Sequence, residues 1–257
     1  MKTLFISMLA IILIVYIGMG LYIYINQRSL IYYPVGSAHA AFGEEEFINN
    51  NESIKVTVLN KEKKHAIIYF GGNAEAVDSS SLNFSMAFPE HALFLVKYRG
   101  YGGSTGVPTE EGIYSDALNI YDKILPQYHS VSVVGRSLGS GVATLVASER
   151  KLHKLVLVTP FDSIQNVAQK QFPFYPMSIL LKDKYDSVGR IPSIKAKTLV
   201  VIAESDEIIG REHSNRLIEK FPASQVIFES IKDQGHNSIS NSKRYYNLIS
   251  EFLSIKK

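Results

Sequence analysis

Gly135-Arg136-Ser137-Leu138-Gly139 constrains this chain more than any other stretch. It follows the apolar run 131–134 and precedes a run of small residues at 140–148 whose pattern predicts a helix. Between a strand and a helix, G-x-S-x-G forms a nucleophile elbow, a strained turn that exposes the serine hydroxyl at the carboxyl edge of a sheet. Glycines on either side let strand and helix approach closely. The same residues could form an ordinary glycine-rich turn with an incidental serine. The flanking strand and helix favour the elbow, and Ser137 is the candidate nucleophile.

The 257 residues suffice for one α/β domain with a sizeable core. With 27 basic against 24 acidic residues and no basic run, nothing points to a nucleic-acid partner. The chain has no cysteine, which excludes disulfides, thiolate catalysis, cysteine–zinc sites and a lipidated cysteine.

Residues 3–25 carry no charge and are long enough to span a bilayer as a helix. Tyr22, Tyr24, Tyr32 and Tyr33 cluster at the far end, as an interfacial aromatic belt would. A cleaved signal peptide is the rival, and Ala38-His39-Ala40 fits its cleavage pattern. That triplet lies too far past an apolar run that is itself too long. The expectation is a transmembrane anchor at 3–25, a juxtamembrane connection at 26–51 and a catalytic domain at 52–257. Lys2 precedes the span, while Arg28 and then Glu44, Glu45 and Glu46 follow it. Positive-inside bias then puts the domain on the outer, periplasmic or extracellular, side.

Nearly continuous apolar runs at 53–59, 66–70, 92–98, 131–134, 155–159, 199–203 and 226–228 predict strands. Helical patterns lie among them at 77–86, 110–124, 140–148, 212–221 and 242–255. In the second, Ile113, Ala117, Ile120, Tyr121 and Ile124 share a face, and Thr109 with Glu110 and Glu111 marks a start. This alternation predicts an α/β fold with a mostly parallel sheet and helices on both faces. Ligands of such sheets sit beyond the carboxyl ends of the strands. Residues 161–190 break the rhythm with Pro173, Pro176, several aromatics and a short helix near 177–181. They form either a small cap over the site or a plain crossover, and the cap is the expectation.

A serine hydroxyl needs a base and a group that orients the base. In folds bearing this elbow the acid and then the histidine follow the serine, on loops after later strands. The strand at 199–203 ends in Glu204-Ser205-Asp206-Glu207, and Gly235-His236-Asn237 follows the last strand. Asp206 is the candidate acid, with Glu204 and Glu207 as competitors, and His236 is the candidate base. The other six histidines read as surface or core residues. Oxyanion donors are expected from the Leu138 backbone N–H and from Asn73, in the Gly71-Gly72-Asn73-Ala74 loop.

Taken with Tyr98-Arg99-Gly100-Tyr101-Gly102 and Gln27-Arg28-Ser29-Leu30-Ile31-Tyr32, these residues resemble the membrane-anchored α/β-hydrolase-domain serine hydrolases. The resemblance runs from about Gln27 to the C-terminus. It implies the α/β-hydrolase fold and acyl hydrolase or serine-aminopeptidase-like activity on a small-molecule or lipid acyl substrate, with no metal or cofactor. The sequence departs from the family pattern at Gly71, where histidine is usual, and at Lys97, where aspartate is usual. An aminopeptidase would need an acidic pocket, for which Asp183 or Asp186 are candidates. A non-catalytic scaffold of the same fold is the third reading, and the sequence leaves the oligomeric state open.

Overall fold

Apolar runs without polar interruption can be strands only if both faces are covered, and the computed structural model shows how this chain covers them. It describes residues 1–38 and 43–255. Ala38-His39-Ala40 therefore lies largely outside the described residues. Eight strands form one sheet: β1 (Gly43–Asn49), β2 (Glu52–Leu59), β3 (His65–Phe70), β4 (His91–Val96), β5 (Ser130–Arg136), β6 (Lys154–Val158), β7 (Lys197–Ala203) and β8 (Val226–Ile231). Their order is β1-β2-β4-β3-β5-β6-β7-β8, with β2 antiparallel to both neighbours and the rest parallel.

Side chains alternate between the faces along each strand. In β3, Ile68 and Phe70 join one core while Ile67 and Tyr69 join the other. The first core is covered by α3 (Glu110–Ile124) and α4 (Leu138–Glu149), the second by α2 (Ser81–Ala87) and α9 (Lys243–Leu253). The Thr109 hydroxyl caps α3 by accepting from the Gly112 N–H at 2.9 Å, and the five apolar residues named above are all buried. The pattern at 77–86 forms a 3₁₀ turn, Val77–Ser80, before α2.

Residues 161–190 form a cap of three short helices, α5 (Ile164–Gln171), α6 (Met177–Leu180) and α7 (Ser187–Arg190), while α8 (Arg211–Ile218) follows β7. The N-terminal helix α1 runs from Lys2 to Ile31, with mean hydropathy 2.6 in its most apolar stretch, none of which is buried. It is long and apolar enough to cross a membrane.

Two expectations need correction. The stretch 26–51 is not a plain connection, because α1 continues to Ile31 and β1 pairs with β2 throughout Gly43–Asn49. Tyr32 is not part of an aromatic belt. Only 3 % exposed, its hydroxyl donates to Asp183 Oδ2 (3.1 Å) and lies 3.0 Å from the Tyr185 hydroxyl.

The closest approach in the fold is that of α4 to β3 and β5. A Cβ at Gly139 would overlap the Phe70 carbonyl, and one at Gly135 would overlap the Gly139 carbonyl. Gly139→Ala is therefore expected to destabilise the domain by roughly 3 kcal/mol, the upper range of overpacking, in chemical denaturation of detergent-solubilised protein. Gly18→Ala on α1, with open space around it, should change stability by less than about 1 kcal/mol.

Candidate active site

Ser137 joins β5 to α4 at φ 50° and ψ −118°, a left-handed conformation that disfavours any residue with a Cβ. Its N–H donates to Val158 O (2.9 Å), and its carbonyl accepts from the Ser140 N–H (2.8 Å) and hydroxyl (2.6 Å). The turn leaves the side chain at the carboxyl edge of the sheet. Beyond β7 and β8, at that same edge, lie Asp206 and His236.

The Ser137 hydroxyl meets His236 Nε2 at 2.8 Å. On the ring's other side, Nδ1 lies 2.9 Å from Asp206 Oδ2 and 3.0 Å from Oδ1. Those partners assign the Nδ1–H tautomer, with Nε2 free to accept the serine proton. Asp206 Oδ1 also accepts from the N–H groups of Ile208 (3.0 Å) and Ile209 (2.7 Å), which fix the carboxylate. The competing carboxylates are occupied differently. Glu207 accepts the His236 N–H at 3.0 Å and so holds the histidine loop, while Glu204 faces the Asp233 N–H at 3.4 Å.

Leu138 is the first residue of α4, where N–H groups have no intrahelical acceptor. The Asn73 side chain does not face the serine, since its Nδ2 donates to Ile31 O at 3.1 Å. Of the Gly71-Gly72-Asn73-Ala74 loop, Asn73 and Ala74 border the same pocket as Ser137. The Tyr-Arg-Gly-Tyr-Gly motif buttresses the loop from behind. Tyr98 donates to Gly71 O and Tyr101 to Asn73 O, each at 2.8 Å. Burial pushes both phenols far above the usual tyrosine range, so both remain donors.

Ser137, Leu138, Asn73 and His236 line a cavity of about 530 Å³, a size typical of small-molecule sites. Phe161, Val167, Phe172 and Met177 of the cap line it as well, together with Ile23 and Leu30 of α1. Among the described residues no acidic side chain lines it. Asp183 is bound by Arg28 (3.1 Å) and Tyr32, and Asp186 caps α7 by accepting from the Gly189 N–H. Neither offers the acidic pocket expected of an aminopeptidase. Among the described residues no cluster of three or more candidate ligands is arranged to hold a metal ion.

Comparison with known proteins agrees with this architecture. No family model matches the chain. An uncharacterized protein of Mycobacterium tuberculosis is 30 % identical over 249 residues, spanning 89 % of this chain and 86 % of that protein. The alpha/beta hydrolase domain-containing protein aho-3 of Caenorhabditis elegans is 26 % identical over 196 residues, covering 74 % of this chain and 58 % of the worm protein. The chain belongs to the α/β-hydrolase-domain family. Among solved structures, a Pyrococcus furiosus esterase superposes with a TM-score of 0.67 at 16 % identity, over 86 % of this chain and 95 % of the esterase. At that identity the likeness speaks for the fold.

This α/β-hydrolase domain carries a second Asp–His contact, at a histidine buried in the core. His213 Nδ1 lies 2.7 Å from Asp162 Oδ1, with Arg216 Nε and Asn166 Nδ2 each 2.7 Å from Oδ2. Neither Asp162 nor His213 lines the cavity, and the network ties the start of the cap to α8. Burial alone would raise the Asp162 pKa. The donors of His213, Arg216, Asn166 and Ser163 outweigh it and hold the carboxyl well below the usual range. A depressed native pKa stabilises the fold above the unfolded value and loses that contribution as pH falls. Asp162→Asn should thus be less stable than wild type at pH 7, with the gap narrowing below pH ~4, as followed by denaturant melts across pH. A gap that holds constant down to about pH 2 would contradict this account.

Proposed function

We propose that this protein is a membrane-anchored serine hydrolase that cleaves acyl esters or thioesters. The anchor is the apolar stretch 3–25 of α1, and the domain occupies the outer side of the membrane, as the Lys2 charge at the far end favours. Supporting the reading above all is the continuous hydrogen-bond chain from Ser137 through His236 to Asp206, at 2.8 and 2.9 Å.

In this mechanism His236 Nε2 takes the Ser137 proton as Oγ attacks the acyl carbonyl. Asp206 holds the ring in the required tautomer and offsets the charge of the imidazolium that forms. Negative charge developing on the carbonyl oxygen meets the N–H groups of Leu138 and Asn73, already fixed in place. Collapse expels the alcohol or thiol, which takes its proton from His236. Water then resolves the acyl-enzyme, with His236 again the base. A peptide substrate with a free amine is disfavoured because no acidic group among the described residues lines this cavity, and Glu75, which borders a second pocket at Ser137 and His236, is already paired with Arg136 at 3.0 Å.

The test is a fluorophosphonate probe combined with kinetics on p-nitrophenyl esters and aminoacyl p-nitroanilides. Wild type should be labelled and Ser137→Ala should not. Asp206→Asn should lower kcat on esters by about 10⁴-fold through loss of the correct tautomer. Esters should be turned over in preference to anilides. An unreactive wild-type serine, under conditions that label a known hydrolase, would instead favour a binding scaffold.

A further inference from the structure

The N-terminal helix is part of the cavity rather than a tether leading up to it. Ile23 packs with Met177 and Leu181 of the cap as a small core of its own. Gln27 Nε2 donates to Leu180 O (3.1 Å), and Gln27 Oε1 accepts the Lys182 N–H (2.6 Å). Farther toward the N-terminus, the Tyr16 and Tyr175 rings stack at 4.7 Å, and Tyr16 donates to Phe174 O at 2.7 Å. The cap therefore follows α1 well into the uncharged stretch. At ~1.5 Å per residue, Tyr16 lies about 13 Å along the axis from Ile25. A spanning α1 would carry that part of the cap below the headgroups.

The outward surface of this part of the cap matches such a depth. Phe174 is 82 % exposed and Ile179 77 % exposed, beside a helix whose own apolar side chains are exposed as well. Clustered apolar groups of this kind mark a surface that water does not normally cover. The cavity has the corresponding polarity. Besides Ser137 and His236, it is lined by Ile23, Met177, Leu181 and Phe172, which pack together between α1 and the cap, with the amides of Gln27 and Gln171 as further polar groups. Among the described residues no Asp, Glu, Lys or Arg lines it.

We infer that residues 172–181 of the cap are immersed in the bilayer beside α1, and that the slot between them takes one acyl chain of a membrane-resident ester, drawn sideways from the lipid with its carbonyl at Ser137. The substrate half of this inference rests on the serine hydrolase reading; immersion of the cap does not.

The chain lacks cysteine, so single-cysteine variants can be labelled cleanly. Phe174→Cys and Ile179→Cys, carrying an environment-sensitive fluorophore, are placed in phosphatidylcholine vesicles containing nitroxide-labelled acyl chains. Both labels should be strongly quenched, and a label at Leu125→Cys, beyond the C-terminus of α3, should not. Equal quenching at all three sites would overturn immersion. For the slot, full-length protein in the same vesicles is assayed on p-nitrophenyl palmitate and on p-nitrophenyl acetate. Ile23→Trp, or Leu30→Trp at an exposed position, should lower the palmitate-to-acetate ratio by about tenfold or more, on the scale at which apolar pockets discriminate chain length. An unchanged ratio in variants that still hydrolyse acetate and label with fluorophosphonate would overturn the slot alone. A wild type that neither labels nor hydrolyses either ester would end the hydrolase reading and the substrate half with it, while the quenching result still decides immersion.

Discussion

The backbone of Ser137 is the constraint on which the site depends. A non-glycine residue at φ 50° and ψ −118° stores about 1–3 kcal/mol of strain, and the surrounding structure has to enforce it. Three hydrogen bonds do so locally, one to Val158 and two from Ser140. Gly135 and Gly139 enforce it sterically, because only glycines let β5, α4 and the end of β3 crowd together. Packing of α4, buried along most of its length, holds the turn from the other side. Once the turn is fixed, parallel strand order does the rest. The loops after β7 and β8 reach the same edge, bringing Asp206 and His236 to the serine from positions far along the chain.

A second dependence runs through α1. Its carboxyl end reaches the loop after β3 directly, as the Asn73 amide donates to Ile31 O and the Tyr33 N–H donates to Asn73 O. Just beyond the helix, Tyr32 is buried against Asp183 and Tyr185, and Arg28 pairs with the same aspartate. The resemblance motif at Gln27–Tyr32 therefore has a structural reason. Gln27 clamps the cap, Ile31 clamps the loop after β3, and Tyr32 fills the core between them. A rotation of α1 would disturb all three contacts together.

Where the sequence was legible, one physical signal dominated. Buried parallel strands and the elbow showed because continuous apolar runs and closely spaced glycines have few other uses. The face of α3 showed because its spacing is helical and its cap is a threonine. Strand β1 escaped notice because Gly-Glu-Glu-Glu-Phe-Ile-Asn buries only Phe47, and an exposed edge strand carries charges that read as a linker. Tyr32 was misread because a tyrosine beside an apolar span fits an interface as well as a core, and only its partners Asp183 and Tyr185, some 150 positions away, decide. The choice of Asp206 over its neighbours agrees with the geometry, although sequence order could not have shown that Glu207 holds the histidine loop by its backbone. The Asn73 side chain is committed to α1 through Ile31 O, a partner more than forty positions away that no local pattern reveals.

The two departures from the family pattern have a common explanation in the turn after β3. Gly71 has no room for a larger side chain, because a Cβ there would fall 2.5 Å from Val77 Cγ1 and 3.1 Å from the Glu75 carboxylate. Glu75 accepts the Gly72 N–H (2.9 Å), the Tyr69 hydroxyl (2.8 Å) and Arg136 of the elbow (3.0 Å). Lys97 is buried, with its ammonium 2.7 Å from Glu44 and 3.6 Å from Asp78. Removing either partner of such a buried pair strands a charge, which is far less favourable than leaving the pair intact. Glu75 and Asp78 lie three positions apart, so one short turn supports the loop after β3 from below and balances the charge at residue 97. The carboxylate at 75 and the glycine at 71 thus form a coupled pair, as do the lysine at 97 and the acids around it. Restoring the usual histidine or aspartate singly would break a network that the chain has rebuilt with other residues.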